Sequence, residues 1–220
     1  CEPGCKPTRP SPYFNSASQR PFARFGVRPT IAIAGQTFEQ SKALIDRGVK
    51  ADGSFPQGTA LLVSTSDKAR NVRSALYPLA ERVLSKGSIR AFVFKRDSIK
   101  YGDDVLFYFT GLANVAGLET LRFVPGAIAD HLTSSGGRLT EDSGQMSALR
   151  WLEAGATGSY GTVVEPCNLP QKFPNPAVLA LRYLKGDTLI EAYWKSVAMP
   201  GQGLFIGEPL ATPFRTRRLE

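Results

Sequence analysis

The 220-residue sequence predicts an α/β fold, a mostly parallel sheet flanked by helices on both faces. Three observations carry that expectation. Short apolar runs alternate with amphipathic stretches almost without interruption from residue 29 to 214. Val105-Leu106-Phe107-Tyr108-Phe109 is apolar throughout, as suits a strand covered on both faces. Between such runs, apolar positions recur at three/four spacing, often behind a helix-opening signal.

Taken in order, residues 1–28 form the first segment. Pro3, Pro7, Pro10, Pro12 and Pro21, with Pro29 just beyond, few aliphatics and several basic residues predict an extended arm rather than a packed element. Such an arm lies across the domain or belongs to a longer upstream region. From Pro29 the rhythm changes. Thr30-Ile31-Ala32-Ile33-Ala34 reads as a short strand ended by Gly35. Thr37-x-x-Gln40 is a capping box for a helix through about Arg47, with Phe38, Leu44 and Ile45 on one face and Gly48 at its end. Leu61-Leu62-Val63 is a strand. Val72, Ala75, Leu76, Leu79, Ala80 and Val83 then trace an amphipathic helix, which Pro78 should kink or split. Ile89 to Phe94 alternates as a strand. Asn175 caps a helix starting at Pro176, and Thr188-x-x-Glu191 is a second capping box. Leu204-Phe205-Ile206 is the last strand. The α/β domain is therefore expected over 29–214, with a basic tail over 215–220.

With 42% hydrophobic and 21% charged residues, the chain can bury a core. No run approaches the roughly 18 to 20 apolar residues of a membrane span, so no transmembrane segment is expected. The formal charge is +8. It is scattered, with Lys6, Arg9, Arg20, Arg24 and Arg28 in the arm and Arg215, Arg217 and Arg218 in the tail. That distribution reads as solvated termini, and no aromatic-interleaved basic motif of an RNA-binding sheet is present, so nucleic acid is not an expected partner.

The chemistry concentrates between Ala127 and Asn168. An apolar approach delivers Asp130 and His131, the only histidine, into a Ser/Gly turn with Thr133, Ser134 and Ser135. A second segment delivers Glu165 and Cys167 into another turn ending at Asn168. Neighbouring strands would bring both turns to one sheet edge, where open α/β folds place their sites. Hydroxyl and carboxylate neighbours could set the His131 tautomer, and Cys167 or a serine could serve as a nucleophile. The plainer alternative is a structural histidine and a buried sulfur. Cys1 and Cys5 are close enough to bridge, while no second Cys or His pair completes a zinc set.

Other motifs have ordinary readings. Gly155, Gly158 and Gly161 close a helix and open a strand, the reverse of a dinucleotide fingerprint. Asp103-Asp104 point to opposite faces of a strand, and Glu141-Asp142 precede a helix, so neither pair is expected to hold a metal. No cofactor is expected.

The segments DVLFYFTGL, GAIADHLTSSGG, SALRWLEAGATGSYGTVVEPCN, KFPNP, TLIEAYWKSV and PGQGLFIGEPLATPF resemble an exported bacterial family of unknown function over roughly residues 28 to 214. The order of elements is also distantly similar to caspase- and gingipain-like cysteine peptidases, a likeness resting on the closing helix and Gly207-Glu208-Pro209-Leu210. That resemblance implies a caspase/gingipain-like sheet and an extracellular or periplasmic location. A cysteine at position 1 and the lack of an initiator Met suit a mature, surface-anchored product or a fragment. The peptidases end one central strand in His-Gly and the next in the nucleophilic Cys. Here those places fall on Thr110-Gly111 and on Asp130-His131 with Ser134-Ser135, so the standard dyad is missing. Two functions follow. One is a binding or degenerate-peptidase module that holds a peptide, glycan or protein partner through Asp130, His131, Ser134, Ser135, Ser159, Glu165 and Asn168. The other is a divergent hydrolase using Cys167 with His131 as base, with Ser159 or backbone amides near Gly136 stabilising an oxyanion.

Overall fold

The structure is a computed structural model and describes residues 4–215; Cys1, Arg217 and Arg218 lie outside the described residues. Thr59–Ser64 (β1), Arg90–Lys95 (β2), Gly102–Thr110 (β3), Leu121–His131 (β4), Gly158–Thr162 (β5) and Gly203–Gly207 (β6) make one sheet, in the order β2-β1-β3-β4-β5-β6. Every pairing is parallel except β5 with β6. The mostly parallel α/β sheet predicted from the alternation is therefore present.

The helices are Pro21–Phe25 (α1), Phe38–Ala51 (α2), Tyr77–Lys86 (α3), Leu149–Glu153 (α4), Pro176–Leu184 (α5) and Leu189–Ser196 (α6). Their starts follow the side chains that satisfy the first backbone N–H groups. The Thr37 hydroxyl accepts from the Gln40 N–H, Asn175 accepts from Ala177 and Val178, and Thr188 with Glu191 forms a complete capping box. Pro78 does split its amphipathic stretch. A 3-10 helix over Asn71–Leu76 runs into α3, where Pro78 sits in the first turn and forfeits no helical hydrogen bond.

Strand alternation sorts side chains into two layers. Ala60, Leu62, Phe107, Phe109, Ile128, Tyr160 and Phe205 face α3, α5 and α6. Leu61, Val63, Tyr108 and Ala129 face the other way, against Trp151 of α4. Ile206 packs with Leu44 of α2 and with Leu149 and Leu152 of α4.

Three expectations change. Helix α2 runs on to Ala51, so Gly48 lies buried within it and does not end it, and of the expected apolar face only Leu44 is buried while Phe38 and Ile45 are exposed. Residues 30–34 do not form a strand of their own: only Ala32 bridges to β6, along its free border. The Pro-rich segment lies across the domain, but part of it packs, with Tyr13 fully buried and the Ser11 and Asn15 N–H groups bonded to Ala198 O and Lys195 O at 2.8 Å each. Its prolines forbid long elements, yet one aromatic ring gives it enough apolar surface to dock.

Candidate functional site

The C-terminal ends of β1, β3 and β4 lie at one rim, and the 133–137 turn leaves it. Thr162 fastens that turn to β5: its hydroxyl lies 2.8 Å from Thr133 O and 3.0 Å from Ser134 O, and the Gly137 N–H donates to Thr162 O at 2.9 Å. On the other side, Gly111 allows the Arg70 backbone to close over the end of β3, because a Cβ there would overlap the Arg70 carbonyl. Thr65 Oγ1 then donates to Gly111 O at 2.7 Å.

Between these pieces opens a cleft of about 360 Å³, walled by Ala69 and Arg70, by Leu132, Thr133 and Ser134, and by Glu165, Pro166, Cys167 and Asn168. The two polar turns singled out in the sequence therefore do meet. A hydrogen-bonded chain orders one wall: Arg70 Nε donates to Thr133 Oγ1 at 3.1 Å, which donates to Gln145 Oε1 at 2.6 Å. Gln145 Oε1 also accepts the Ser135 N–H at 2.9 Å. Arg70 is held by Asp67 at 2.8 Å. On the opposite wall the exposed Glu165 accepts the Cys167 N–H at 2.7 Å.

His131 is not in this cleft. It lies beneath it, fully buried, with Nδ1 accepting from Trp151 Nε1 at 2.9 Å and Nε2 at 3.0 Å from Met146 O. Burial pushes its pKa down to about 4; the Met146 bond opposes this and the Arg73 and Arg70 charges add to it. The ring is thus neutral, with both nitrogens engaged. Cys167 carries no free thiol, because it forms a disulfide with Cys5, Cα atoms 5.0 Å apart. Cys5 bridges to Cys167 and not to Cys1. The expected Cys167–His131 couple is therefore not formed: one partner is oxidised and the other is sealed in the core.

Asp130, next in sequence to His131, projects to the opposite face of the sheet. There it pairs with Arg73, both side chains 1% exposed. Arg73 donates to Thr110 O at 2.9 Å, Pro174 O at 3.3 Å and Asp130 O at 3.4 Å, binding the ends of β3 and β4 to the loop before α5. Burial raises the Asp130 pKa against the pull of Arg73. Ser159 is fully buried in β5, and Ser135, whose backbone N–H donates to Gln145, lies outside the cleft lining. The Gly137 N–H goes to Thr162 O, so that amide stabilises the turn and not an oxyanion. Of the expected binding residues, Ser134, Glu165 and Asn168 line the cleft; Asp130, His131, Ser135 and Ser159 do not.

Sequence reasoning missed Arg70, Arg73, Gln145 and Trp151. Only Arg73 left a trace: with Tyr77, Ala80 and Leu84 it falls on the buried stripe of α3 and its lead-in, where a cation requires a buried acid. Among the described residues no three His, Cys, Asp or Glu gather as a metal site, and no helix is long and apolar enough to cross a membrane. Set against family models, curated proteins and solved structures, the chain matches none of them.

Proposed function

We propose that the protein is a binding module that seats a short polar peptide segment in the cleft beyond β4 and uses no cysteine nucleophile. One observation carries this reading. Thr133-Ser134 and Glu165–Asn168 share an open cleft with Arg70, while the sulfur and imidazole that hydrolysis would need are already bonded elsewhere. The walls offer a cation, a carboxylate, hydroxyls and an amide, a mixture suited to the alternating donors and acceptors of a peptide backbone. They offer no aromatic face on which a sugar ring could stack.

Export and a caspase/gingipain-like ancestry belong to the same proposal. A disulfide persists in oxidising compartments, which supports a location outside the cytoplasm. The single sheet with an antiparallel last strand supports the ancestry.

The test is a titration of isotope-labelled protein with a pooled library of blocked tetrapeptides. Amide shifts confined to residues 69–70, 132–134 and 165–168, abolished by the cleft-filling Ser134→Trp, support the reading. Shifts elsewhere, unchanged binding by Ser134→Trp, or cleavage of the peptides would overturn it.

A further inference from the structure

The two borders of the sheet are treated differently. At the β6 border the chain covers itself: the Ala32 N–H donates to Phe205 O at 3.0 Å and the Gly207 N–H to Ala32 O at 2.9 Å. At the β2 border nothing among the described residues does this, and β2 pairs with β1 alone. Its outer row of backbone donors and acceptors is left to solvent.

The side chains of β2 are uncovered as well. Phe92 is 48% and Val93 40% exposed, and as neighbours on a strand they point to opposite faces. Around this apolar edge stand Arg90, Lys95 and Arg96, all exposed. Arg90 is paired with Asp104, but Lys95 and Arg96 have no carboxylate partner among the described residues. The nearest acid in sequence, Asp97, is turned to the Ser66 N–H and hydroxyl.

We infer that β2 is a docking strand for an acidic, extended segment of a partner protein, which adds to the sheet through backbone hydrogen bonds. An added strand would satisfy the open ladder, cover Phe92 and Val93, and set its carboxylates against Lys95 and Arg96. A second copy of this chain fits less well. Antiparallel self-pairing centred on Val93 sets Arg90 of one copy opposite Arg96 of the other; centred between Phe92 and Val93 it sets Arg90 opposite Lys95. Like charges directly across a ladder repel, so the cations that invite an acidic strand also deter self-association. This inference does not depend on the cleft.

The experiment uses the full chain and two blocked β-prone pentapeptides at millimolar concentration, Glu-Val-Thr-Val-Glu and Lys-Val-Thr-Val-Lys, read by hydrogen exchange of individual amides. The acidic peptide is expected to slow exchange at outward amides of residues 90–95 on the order of tenfold, less at high salt, and the basic one to leave it unchanged. Lys95→Glu combined with Arg96→Glu, or the single Lys95→Glu, should reverse that preference. Absence of slowing, equal slowing by both peptides, or a concentration-dependent dimer through β2 overturns the inference. The Ser134→Trp variant should protect β2 as the parent does, which separates failure here from failure at the cleft.

Discussion

The indole N–H of Trp151 donates to Nδ1 of His131 across 2.9 Å, which assigns the ring proton to Nε2, facing Met146 O at 3.0 Å. Taking up a second proton at Nδ1 would break the Trp151 bond and place a charge in the core. The folded pKa, about 4, lies below the ordinary 6.5. As pH falls the unfolded chain therefore binds this proton first, and folding loses stability across the window from about 6.5 down to 4; above it the contribution is complete. The whole shift corresponds to about 3 kcal/mol. The His131 ring resonances should stay in the neutral form down to about pH 5, and unfolding midpoints should fall through the window more steeply than in His131→Gln. A ring titrating near its ordinary value would contradict the buried geometry.

Arg73 and Asp130 make a different case, a buried pair whose partners depend on each other. Removing the cation alone, as in Arg73→Met, leaves a carboxylate in the core and takes the guanidinium from three carbonyls, of which Thr110 O keeps the Leu132 N–H. The expected loss is about 3 to 5 kcal/mol by denaturant unfolding. Arg73→Met with Asp130→Leu should recover much of it, since the uncompensated charge is gone. Arg73→Lys should rescue poorly, because one ammonium cannot span Thr110, Asp130 and Pro174 as the guanidinium does.

Those two sites show where the sequence was legible. The apolar run at 105–109, the capping residues Thr37, Asn175 and Thr188, and the break at Pro78 are local signals, and each marks an element in the fold. Asp130 and His131 were also correctly placed at a strand end, but proximity in sequence concealed that alternation sends them to opposite faces. Trp151 and Arg73 reach them from 20 and 57 residues away, and no spacing rule encodes such a contact. Cys5 and Cys167 are 162 residues apart, beyond any pairing that spacing could suggest. The cleft was readable in part, because Ser134, Glu165 and Asn168 sit in turns that parallel strands deliver to one rim. Arg70 came from a different connection and carried no mark of its own.

Thr162 and Gly161 control the cleft from below. The Thr162 hydroxyl serves two carbonyls of the turn, and Gly161 lets the Gly136-Gly137 backbone press against β5, where a Cβ would overlap it. Thr162→Val should cost about 1 to 3 kcal/mol, since buried acceptors lose their donor. Gly161→Ala should cost more and move the amide resonances of residues 133–137. Calorimetry gives the first quantity and amide spectra the second. If Gly161→Ala leaves the turn unmoved, β5 is not what sets the cleft floor.

The Cys5–Cys167 disulfide ties the arm to the cleft wall at a residue whose backbone is itself constrained, with φ of 52° at Cys167. The chain-entropy argument for a 162-residue separation sets a ceiling of about 5 kcal/mol on its contribution. The measured loss in Cys5→Ser should be smaller, about 2 kcal/mol, because other contacts still pin the arm. Tyr13 stays buried, and Lys172 Nζ and Gln202 Nε2 hold Gly4 O at 2.9 and 3.2 Å. Peptide mapping of the oxidised protein should recover residues 5 and 167 in one linked fragment. In Cys5→Ser the Cys167 thiol should become open to alkylation, and exchange should quicken at 165–168 while β4 and β5 keep their protection. Faster exchange throughout the sheet would instead mean that the bond supports the whole domain and not the cleft wall alone.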